Sequence, residues 1–288
     1  MNFFDQLKYR HLSFNSVERL IAILVVCFIV PFILRTFLFL FSVRFDQFFS
    51  WFQLSPTVED ILFQPWTLIT YAFFHADFGH IFWNLILLHF AGKMMINLFK
   101  PQLFINTFFM GVLAGGLVFV VSYNLFPAFQ GQSPQLIGSS AGVMAVLIFM
   151  CSYMPFKDVR IFIFNVKLIY IGVLFIALDL IKIPVSNAGG HLAHIGGALM
   201  GFVYQRSIMR GNDFGDWVSR FGSSIRSFFQ PSKSKVHKVY SSPKPKRKPK
   251  KDNVNQDKID KILDKISQSG YSSLTKEEKE LLFRAGKS

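Results

Sequence analysis

The sequence predicts an all-α polytopic membrane protein: a bundle of six transmembrane helices followed by a small C-terminal helical hairpin. The chain of 288 residues is 51% hydrophobic and contains 36 phenylalanines, which is rare in a soluble domain because its surface must be polar. Residues 231–288 hold 16 of the 31 Lys and Arg but only 7 of the 17 Asp and Glu. Without that tail, the chain is a series of long apolar runs, which is typical of a membrane domain.

Six apolar segments account for most of the chain. The first is interrupted by Pro31 and Arg35, which neighbouring helices or a side chain that reaches the interface can accommodate. The fourth is short and begins with small residues, so we expect its start to lie below the membrane surface in a cavity. The predicted segments are Leu20–Phe41, Ile81–Leu98, Leu103–Phe126, Gly138–Met154, Ile161–Ile181 and His191–Ile208.

The charges of the connections predict that both ends of the chain are cytoplasmic. With the N-terminus inside, the basic residues of the connections after the second and fourth segments and of the tail also face the cytoplasm. The outer connections carry few or balanced charges, as the positive-inside rule requires. The long connection 42–79 contains Trp51 and Trp66 and is expected to lie in the outer interface. A bacterial inner (plasma) membrane fits this pattern, with an organelle membrane as the alternative.

The chain divides into four predicted parts. The last begins with a helical pattern and continues through Thr275-x-x-Glu278, a capping box that opens a second helix. Two short helices cannot enclose a core, so we expect this hairpin to dock on a partner. The parts are a cytoplasmic N-terminal segment at 1–19, the membrane domain at 20–210, a basic linker rich in Pro, Lys and Ser at 211–256, and the cytoplasmic hairpin at 257–288.

The net charge of +14 does not point to nucleic acid, because much of it lies in the tail directly after the membrane domain. A basic segment at that place is attracted to anionic lipids of the cytoplasmic leaflet, which are the partner we expect for it. The two cysteines, Cys27 and Cys151, lie in apolar stretches, so no disulfide framework is expected.

Histidines in or beside the apolar segments are the first candidates for chemistry, since ionisable groups are costly there. His80 and Asn84 are four residues apart and share a helix face, where two neutral donors can stabilise an oxyanion. Packing and hydrogen bonding between helices is the alternative interpretation. The histidines concerned are His75, His80, His89, His191 and His194.

Ser140 is the candidate nucleophile because it lies among small residues where a helix begins, with open backbone N–H groups and a favourable dipole. His194 is followed by Gly197 and Gly201, whose small-xxx-small spacing allows another helix to approach closely. If that helix is the fourth segment, His194 can reach Ser140 and act as a general base. Small residues such as Gly138 and these glycines also occur at helix crossings that serve packing alone.

Together these motifs resemble the signature of the rhomboid family of intramembrane serine proteases, over about residues 50–205. The resemblance implies a Ser140–His194 catalytic dyad and an oxyanion hole formed by His80, Asn84 and the Ser140 amide, with His75 as an accessory residue. It also implies serine endopeptidase activity on single-span membrane proteins, without a metal or an organic cofactor. The matching motifs are His75-x4-His80-x3-Asn84, Gly138-x-Ser140, His194-x2-Gly197-x3-Gly201 and the preceding Gln64-Pro65-Trp66-Thr67.

Three features depart from that family pattern. Ala141 stands where a glycine usually follows the serine, and Met144 stands where an aromatic residue often packs against the base. The usual Trp-Arg pair of the first connection is not evident, although Trp51 and Trp66 could anchor this connection. Asp179 could complete a triad, but the resemblance implies a dyad.

Two other functions remain open at this stage. A membrane metalloprotein could use His75, His80, His191 and His194 as ligands, but no carboxylate is evident beside them in the sequence. A catalytically weak or inactive rhomboid-like protein that binds membrane-protein clients would explain the departures at Ala141 and Met144. His191 is expected to shape the site rather than act as the base, since it lacks the glycines that follow His194.

Overall fold

The computed structural model describes residues 14–42, 46–161, 163–229 and 253–286. Its contacts divide the chain into two compact units, residues 1–230 and 231–288, and the candidate site lies in the first. The first unit contains α1 (Ser16–Leu40), α2 (Asp46–Ser50), α3 (Val58–Phe63), α4 (Thr67–Thr70), 3₁₀ turns at Tyr71–Phe73 and Pro127–Phe129, α5 (Phe78–Leu98), α6 (Pro101–Leu125), α7 (Ser140–Tyr153), β1 (Asp158–Ile161), β2 (Phe164–Lys167), α8 (Leu168–Lys182), α9 (Ala188–Met209) and α10 (Asp216–Phe229).

Local sequence signals explain where the long helices begin. Asn15 and Glu18 form a capping box at the start of α1, and the Asp77 side chain accepts a hydrogen bond from the backbone N–H of His80 at the start of α5. Pro101 occupies the first turn of α6, where its missing N–H costs nothing. Asn187 caps α9 through the Gly190 N–H.

Among the described helices, α1, α5 and α6 are long and apolar enough to cross a membrane. Helix α7 is apolar but has 14 residues, or about 21 Å at 1.5 Å per residue, against about 30 Å of hydrocarbon. It begins at Ser140, as expected for a helix that starts below the surface. Helix α9 has 22 residues, but its glycines and polar residues lower its mean hydropathy.

Helices α5 to α9 alternate in direction. Gly111 of α6 packs on Ala145 of α7, whereas Gly115, one turn later, packs on Ala141, so these two helices are antiparallel. Gly172 near the start of α8 contacts Cys151 near the end of α7, which makes this pair antiparallel as well. The first turns of α5, α7 and α9 and the last turns of α6 and α8 therefore lie at one end of the bundle. The buried core runs between α6, α7 and α9.

The fifth predicted segment, Ile161–Ile181, needs correction. The chain first forms an antiparallel pair of strands, β1 and β2, in which Asp158 pairs with Lys167, and α8 begins only at Leu168. Asn165 and Lys167 interrupt the apolar run only briefly, and short apolar runs do not distinguish a strand from a helix by periodicity.

The predicted linker 211–256 also needs correction, because α10 occupies part of it. This helix packs on α6, and the Ser219 hydroxyl donates a hydrogen bond to Asn106 Oδ1 over 2.5 Å. Trp217 and Phe221 lie four residues apart on α10 and are both about half exposed. Pro- and Lys-rich residues 230–252 of the predicted linker lie outside the described residues.

The second unit contains α11 (Asn253–Ser269), a 3₁₀ turn (Tyr271–Ser273) and α12 (Lys276–Ala285). Thr275 and Glu278 form the capping box that the sequence predicts. Lys265 of α11 forms an ion pair with Glu278 at 3.0 Å, which joins the two helices.

Candidate active site

The contact between α7 and α9 is made backbone to backbone. A Cβ at Gly197 would lie 2.1 Å from the carbonyl oxygen of Ala141, and a Cβ at Gly201 would lie 2.2 Å from that of Ala145. Because both partners advance by four residues, α7 and α9 run parallel. The pattern of small residues around His194 therefore serves the close approach that the sequence predicts.

Helix α6 closes the other side of this contact. A Cβ at Gly115 would lie 2.4 Å from the Cβ of Ala141 and 2.7 Å from the carbonyl oxygen of Ala193. The methyl group of Ala141, which departs from the family pattern, thus occupies space left open by Gly115. Met144 is buried, with 3% of its surface exposed.

Ser140 is the first residue of α7 and is half-buried. Gly138 precedes it with a φ of +119°, a conformation that favours glycine, and donates its backbone N–H to the carbonyl of Tyr71 over 3.0 Å. A Cβ at Gly138 would meet His80 Nε2 at 2.6 Å. The sequence suggested that Gly138 packs between helices. It instead forms a turn against the ring of His80. The first N–H groups of α7 have no partners within the helix and lie at its positive end.

His75 supports the residue beside the candidate nucleophile. Its Nε2 accepts the backbone N–H of Ser139 over 3.3 Å and lies 3.1 Å from the Ser139 hydroxyl. Burial, together with the positive charge that His80 can carry, lowers the pKa of His75 to about 3. His75 is therefore neutral at physiological pH and acts as a hydrogen-bond acceptor.

His80 and Asn84 lie on one face of α5, as their spacing predicts. The rings of His75 and His80 have centroids 5.0 Å apart, and the Asn84 amide donates one hydrogen to the His80 carbonyl over 2.9 Å. Asn84 is buried, and its second amide hydrogen remains available for another acceptor. His89 is exposed on the same helix and lies apart from this group.

His194 and His191 share one carboxylate oxygen. Oδ1 of Asp179, near the end of α8, lies 2.8 Å from His194 Nδ1 and 2.7 Å from His191 Nδ1. An ionised carboxylate can only accept hydrogen bonds, so this arrangement suits the tautomer of each ring that carries its hydrogen on Nδ1. Each Nε2 is then free to accept a proton.

Ser140 and His194 lie at the same end of the bundle but are not hydrogen-bonded to each other in the part of the chain that the structure describes. Catalytic hydrogen bonds are often long before substrate binds. A Cβ on Gly138 would lie 2.6 Å from His80 Nε2 and 3.7 Å from Ser140 Oγ, so the His80 ring and the serine hydroxyl flank this glycine. His80 in the first turn of α5 and Ser140 at the start of α7 are thus neighbours, and His194 lies in the second turn of α9 at the same end of the bundle.

The metal-ligand set proposed from sequence is not the one that the structure brings together. Among the described residues, the group of three whose ligand atoms lie within 4.8 Å of one another consists of Asp179, His191 and His194. His75 and His80 are not part of that group. A carboxylate therefore lies beside the histidines, where the sequence had shown none.

A cavity of about 240 Å³ lies beside His75. Arg35 of α1 and Gln53 of the first connection line it, together with Ile137, two residues before Ser139. Arg35, which interrupts the first apolar segment, thus faces a cavity of mixed polar and apolar lining beside His75.

Several residues that build this site were missed by reasoning from sequence. The backbone N–H of Ser139 donates a hydrogen bond to His75, and the Asp77 side chain caps α5. The Tyr71 hydroxyl donates to the Val112 carbonyl of α6 over 2.7 Å, so that the Tyr71 carbonyl can hold Gly138. Asp77 could have been found as an N-cap signal, whereas the Tyr71 contact depends on tertiary packing alone.

The first connection is anchored in two ways. The rings of Trp51 and Trp66 stack with centroids 6.3 Å apart, and the Trp66 indole N–H donates to the Trp51 carbonyl over 2.8 Å. Leu54 and Leu136 form an antiparallel bridge with N···O distances of 3.1 and 2.9 Å. The connection is therefore tied to the segment that leads to Ser140.

These features define a helical membrane bundle with a serine, histidines and an asparagine at one end. The model of the Rhomboid domain matches residues 62–211, which is more than half of the chain, so the protein belongs to the rhomboid family. It is accordingly a membrane protein. Residues 249–287 match a second model, described as a family of unknown function (DUF6576).

A curated relative supports this assignment. The chain is 29% identical over 158 residues to RHOMBOID-like protein 12, mitochondrial, from Arabidopsis thaliana. The match covers 50% of this chain and 47% of the relative, so the chain spans about half the length of the curated relative that it matches.

Proposed function

We propose that this protein is an intramembrane serine endopeptidase with Ser140 as nucleophile and His194 as general base. The observation that carries the proposal is the seating of the α9 glycines directly on the α7 backbone. Gly197 contacts the residue after Ser140 and lies one helical turn after His194, so the two candidate groups belong to adjacent turns of parallel helices.

In the proposed reaction, His194 Nε2 takes the hydroxyl proton as Ser140 Oγ attacks the scissile carbonyl. The resulting imidazolium then gives this proton to the leaving amine, and a water molecule hydrolyses the acyl-enzyme with His194 again as base. The half-buried position of Ser140 is suited to such a step, because a nucleophile must be reached by both substrate and water.

The free backbone N–H of Ser140, the second amide hydrogen of Asn84 and the His80 ring are the proposed donors to the oxyanion. In a site of low polarity, one such donor is worth about 3 kcal/mol of transition-state stabilisation. His75 acts indirectly, by holding Ser139 and thereby the turn that precedes the nucleophile.

The proposal extends to the membrane arrangement. The alternating directions of α5 to α9 support a topology of six spans, in which α1 and α5 to α9 cross and the site lies at the outer end. The N- and C-termini and the helical pair α11–α12 are proposed to be cytoplasmic, in a bacterial inner membrane. The proposed partners are single-span membrane proteins as substrates, and anionic lipids beside the basic tail.

Cleavage of a single-span substrate in proteoliposomes tests the function. We expect the native protein to cut and both Ser140→Ala and His194→Ala to be inactive. Ser152→Ala removes a hydroxyl from the other end of the same helix and is the matched control. A fluorophosphonate probe, with the labelled peptide mapped, reports the nucleophile independently of substrate choice.

The outcomes separate the alternatives. Probe labelling at Ser140 that is lost in His194→Ala supports the dyad. Absence of both labelling and cleavage in the native protein would instead favour a rhomboid-like protein that binds membrane-protein clients. Cleavage that persists in Ser140→Ala would overturn the proposed chemistry.

A further inference from the structure

We infer that Asp179 is a positioning residue of this site, one that sets the tautomer and orientation of His194, and that His191 braces the carboxylate. The inference rests on the proposed function for its catalytic meaning, but the contact itself can be measured in a protein that does not react.

The first step is the burial of the carboxylate. Asp179 lies in the last turn of α8 with 6% of its surface exposed, and a buried charge is costly unless it is hydrogen-bonded. Among the described residues, the side-chain partners of Asp179 are His191 and His194 alone. The carboxylate therefore binds the two imidazoles and no other side chain among the described residues. If this position served helix packing alone, an apolar residue would pack there at a lower desolvation cost.

The second step is the chemistry of the imidazole. A base that takes the Ser140 proton at Nε2 must carry its own hydrogen on Nδ1, and a neutral histidine chooses between the two tautomers. A carboxylate oxygen 2.8 Å from Nδ1 selects the tautomer with Nε2 free. The same hydrogen bond fixes the orientation of the His194 ring, because Nδ1 must point at the Asp179 carboxylate on α8.

The third step is the role of His191, one helical turn before His194. Its Nδ1 lies 2.7 Å from the same oxygen, and its side chain is less exposed than that of His194 (12% against 23%). The second hydrogen bond restricts the orientation of the carboxylate that His194 also contacts. His191 thus belongs to the site without being its base, and a single oxygen serves both rings.

The direct test is the tautomer of each ring, read by ¹⁵N NMR on histidine-labelled Ser140→Ala protein in lipid nanodiscs. We expect His191 and His194 to be Nδ1–H tautomers, and Asp179→Ala to shift both towards the Nε2–H form. Asp179→Asn, which is nearly isosteric, keeps an oxygen acceptor and should retain the Nδ1–H form in one ring. Asp213→Asn removes a carboxylate beyond the other end of α9 and should leave both rings unchanged.

The second readout is kinetic and uses the native Ser140. We expect kcat to fall on the order of 10²-fold in Asp179→Ala with little change in KM, because misplacement of a catalytic group by about 1 Å costs that much. The kcat of Asp179→Asn should also fall, because its amide N–H₂ can donate to His194 Nδ1 and favour the wrong tautomer. The kcat of His191→Gln should fall least, since the hydrogen bond between Asp179 and His194 remains.

Three results would overturn the inference. The first is an Nδ1–H tautomer of His194 that persists in folded Asp179→Ala protein. The second is a kcat within about twofold of native in that variant, well inside the loss that misplacement causes. The third is stoichiometric zinc on the Ser140→Ala protein that is lost in Asp179→Ala, which would make this cluster a metal site. Absence of cleavage by the native protein overturns the proposed function, whereas the tautomer still decides the role of Asp179.

Discussion

Replacement of Gly197 by alanine should separate the α7–α9 contact and weaken both the fold and the proposed chemistry. The new Cβ would lie 2.1 Å from the Ala141 carbonyl oxygen, whereas ordinary contact begins at 3.4 Å, so the helices must separate locally by about 1.3 Å. The atoms that must move belong to backbone on both sides and cannot rotate away. Overpacking of this kind costs about 1–3 kcal/mol, with rigid backbone at the upper end.

The same displacement acts on the site. His194 lies one turn before Gly197, so a shift of about 1 Å between α9 and α7 should lower the rate of acyl transfer on the order of 10²-fold. The assays are thermal unfolding in detergent and the rate of probe labelling at Ser140.

Two other glycines provide matched controls for the same chemical change. A Cβ at Gly92 would meet the side chains of Phe104 at 2.9 Å and Val17 at 3.0 Å, which can yield, whereas a Cβ at Gly222 has nothing within 4 Å. We expect the loss of stability to rank Gly197→Ala above Gly92→Ala, with Gly222→Ala neutral or slightly stabilising. An unchanged melting temperature and labelling rate in Gly197→Ala would refute the backbone contact.

Further predictions concern contacts away from the reacting groups. Tyr71→Phe removes a buried hydroxyl bonded to the Val112 carbonyl and should lower stability by about 1 kcal/mol, seen as a lower melting temperature; an unchanged value would contradict this. In the second unit, Thr275→Ala removes an N-cap and should cost about 1 kcal/mol, measured as faster amide exchange in the first turn of α12 of the full chain. The backbone N–H of Thr275 and the ammonium of Lys265 lower the pKa of Glu278. The cap should therefore be fully formed above the usual pKa of glutamate and be lost as the pH falls through the lowered value; protection of the Thr275 amide that does not change with acidification would contradict this.

The long apolar helices were predictable from the sequence because hydropathy and end signals agree. Helix α6 was expected at Leu103–Phe126 and is found at Pro101–Leu125, where Pro101 marks its start. The strands β1 and β2 were not predicted, since their apolar residues form short runs just before α8, and such runs fit a strand or a helix equally. Helix α10 was missed because its four serines and one glycine resemble a linker, although the spacing of Trp217 and Phe221 was a usable signal.

The candidate site was predictable in part, for a similar reason. Spacing within one helix placed His80 with Asn84, and glycines after His194 predicted its close approach to α7. The contact of Asp179 with both histidines depends on the turn between α8 and α9, which leaves no periodic trace in the sequence. The Ser139–His75 bond joins residues 64 positions apart and has the same cause. Whether Ser140 and His194 react together stays a prediction.

The seating of α9 on the backbone of α7 also determines when, during biosynthesis, the proposed site can exist. Ser140 leaves the ribosome 54 residues before His194, which is roughly 3–11 s at the usual rates of translation. Over that interval the carbonyls of Ala141 and Ala145 still lack the glycines that will cover them, and the serine has no base. Under the proposed mechanism, a nascent chain is therefore inert towards the membrane proteins inserted beside it until α9 is in place.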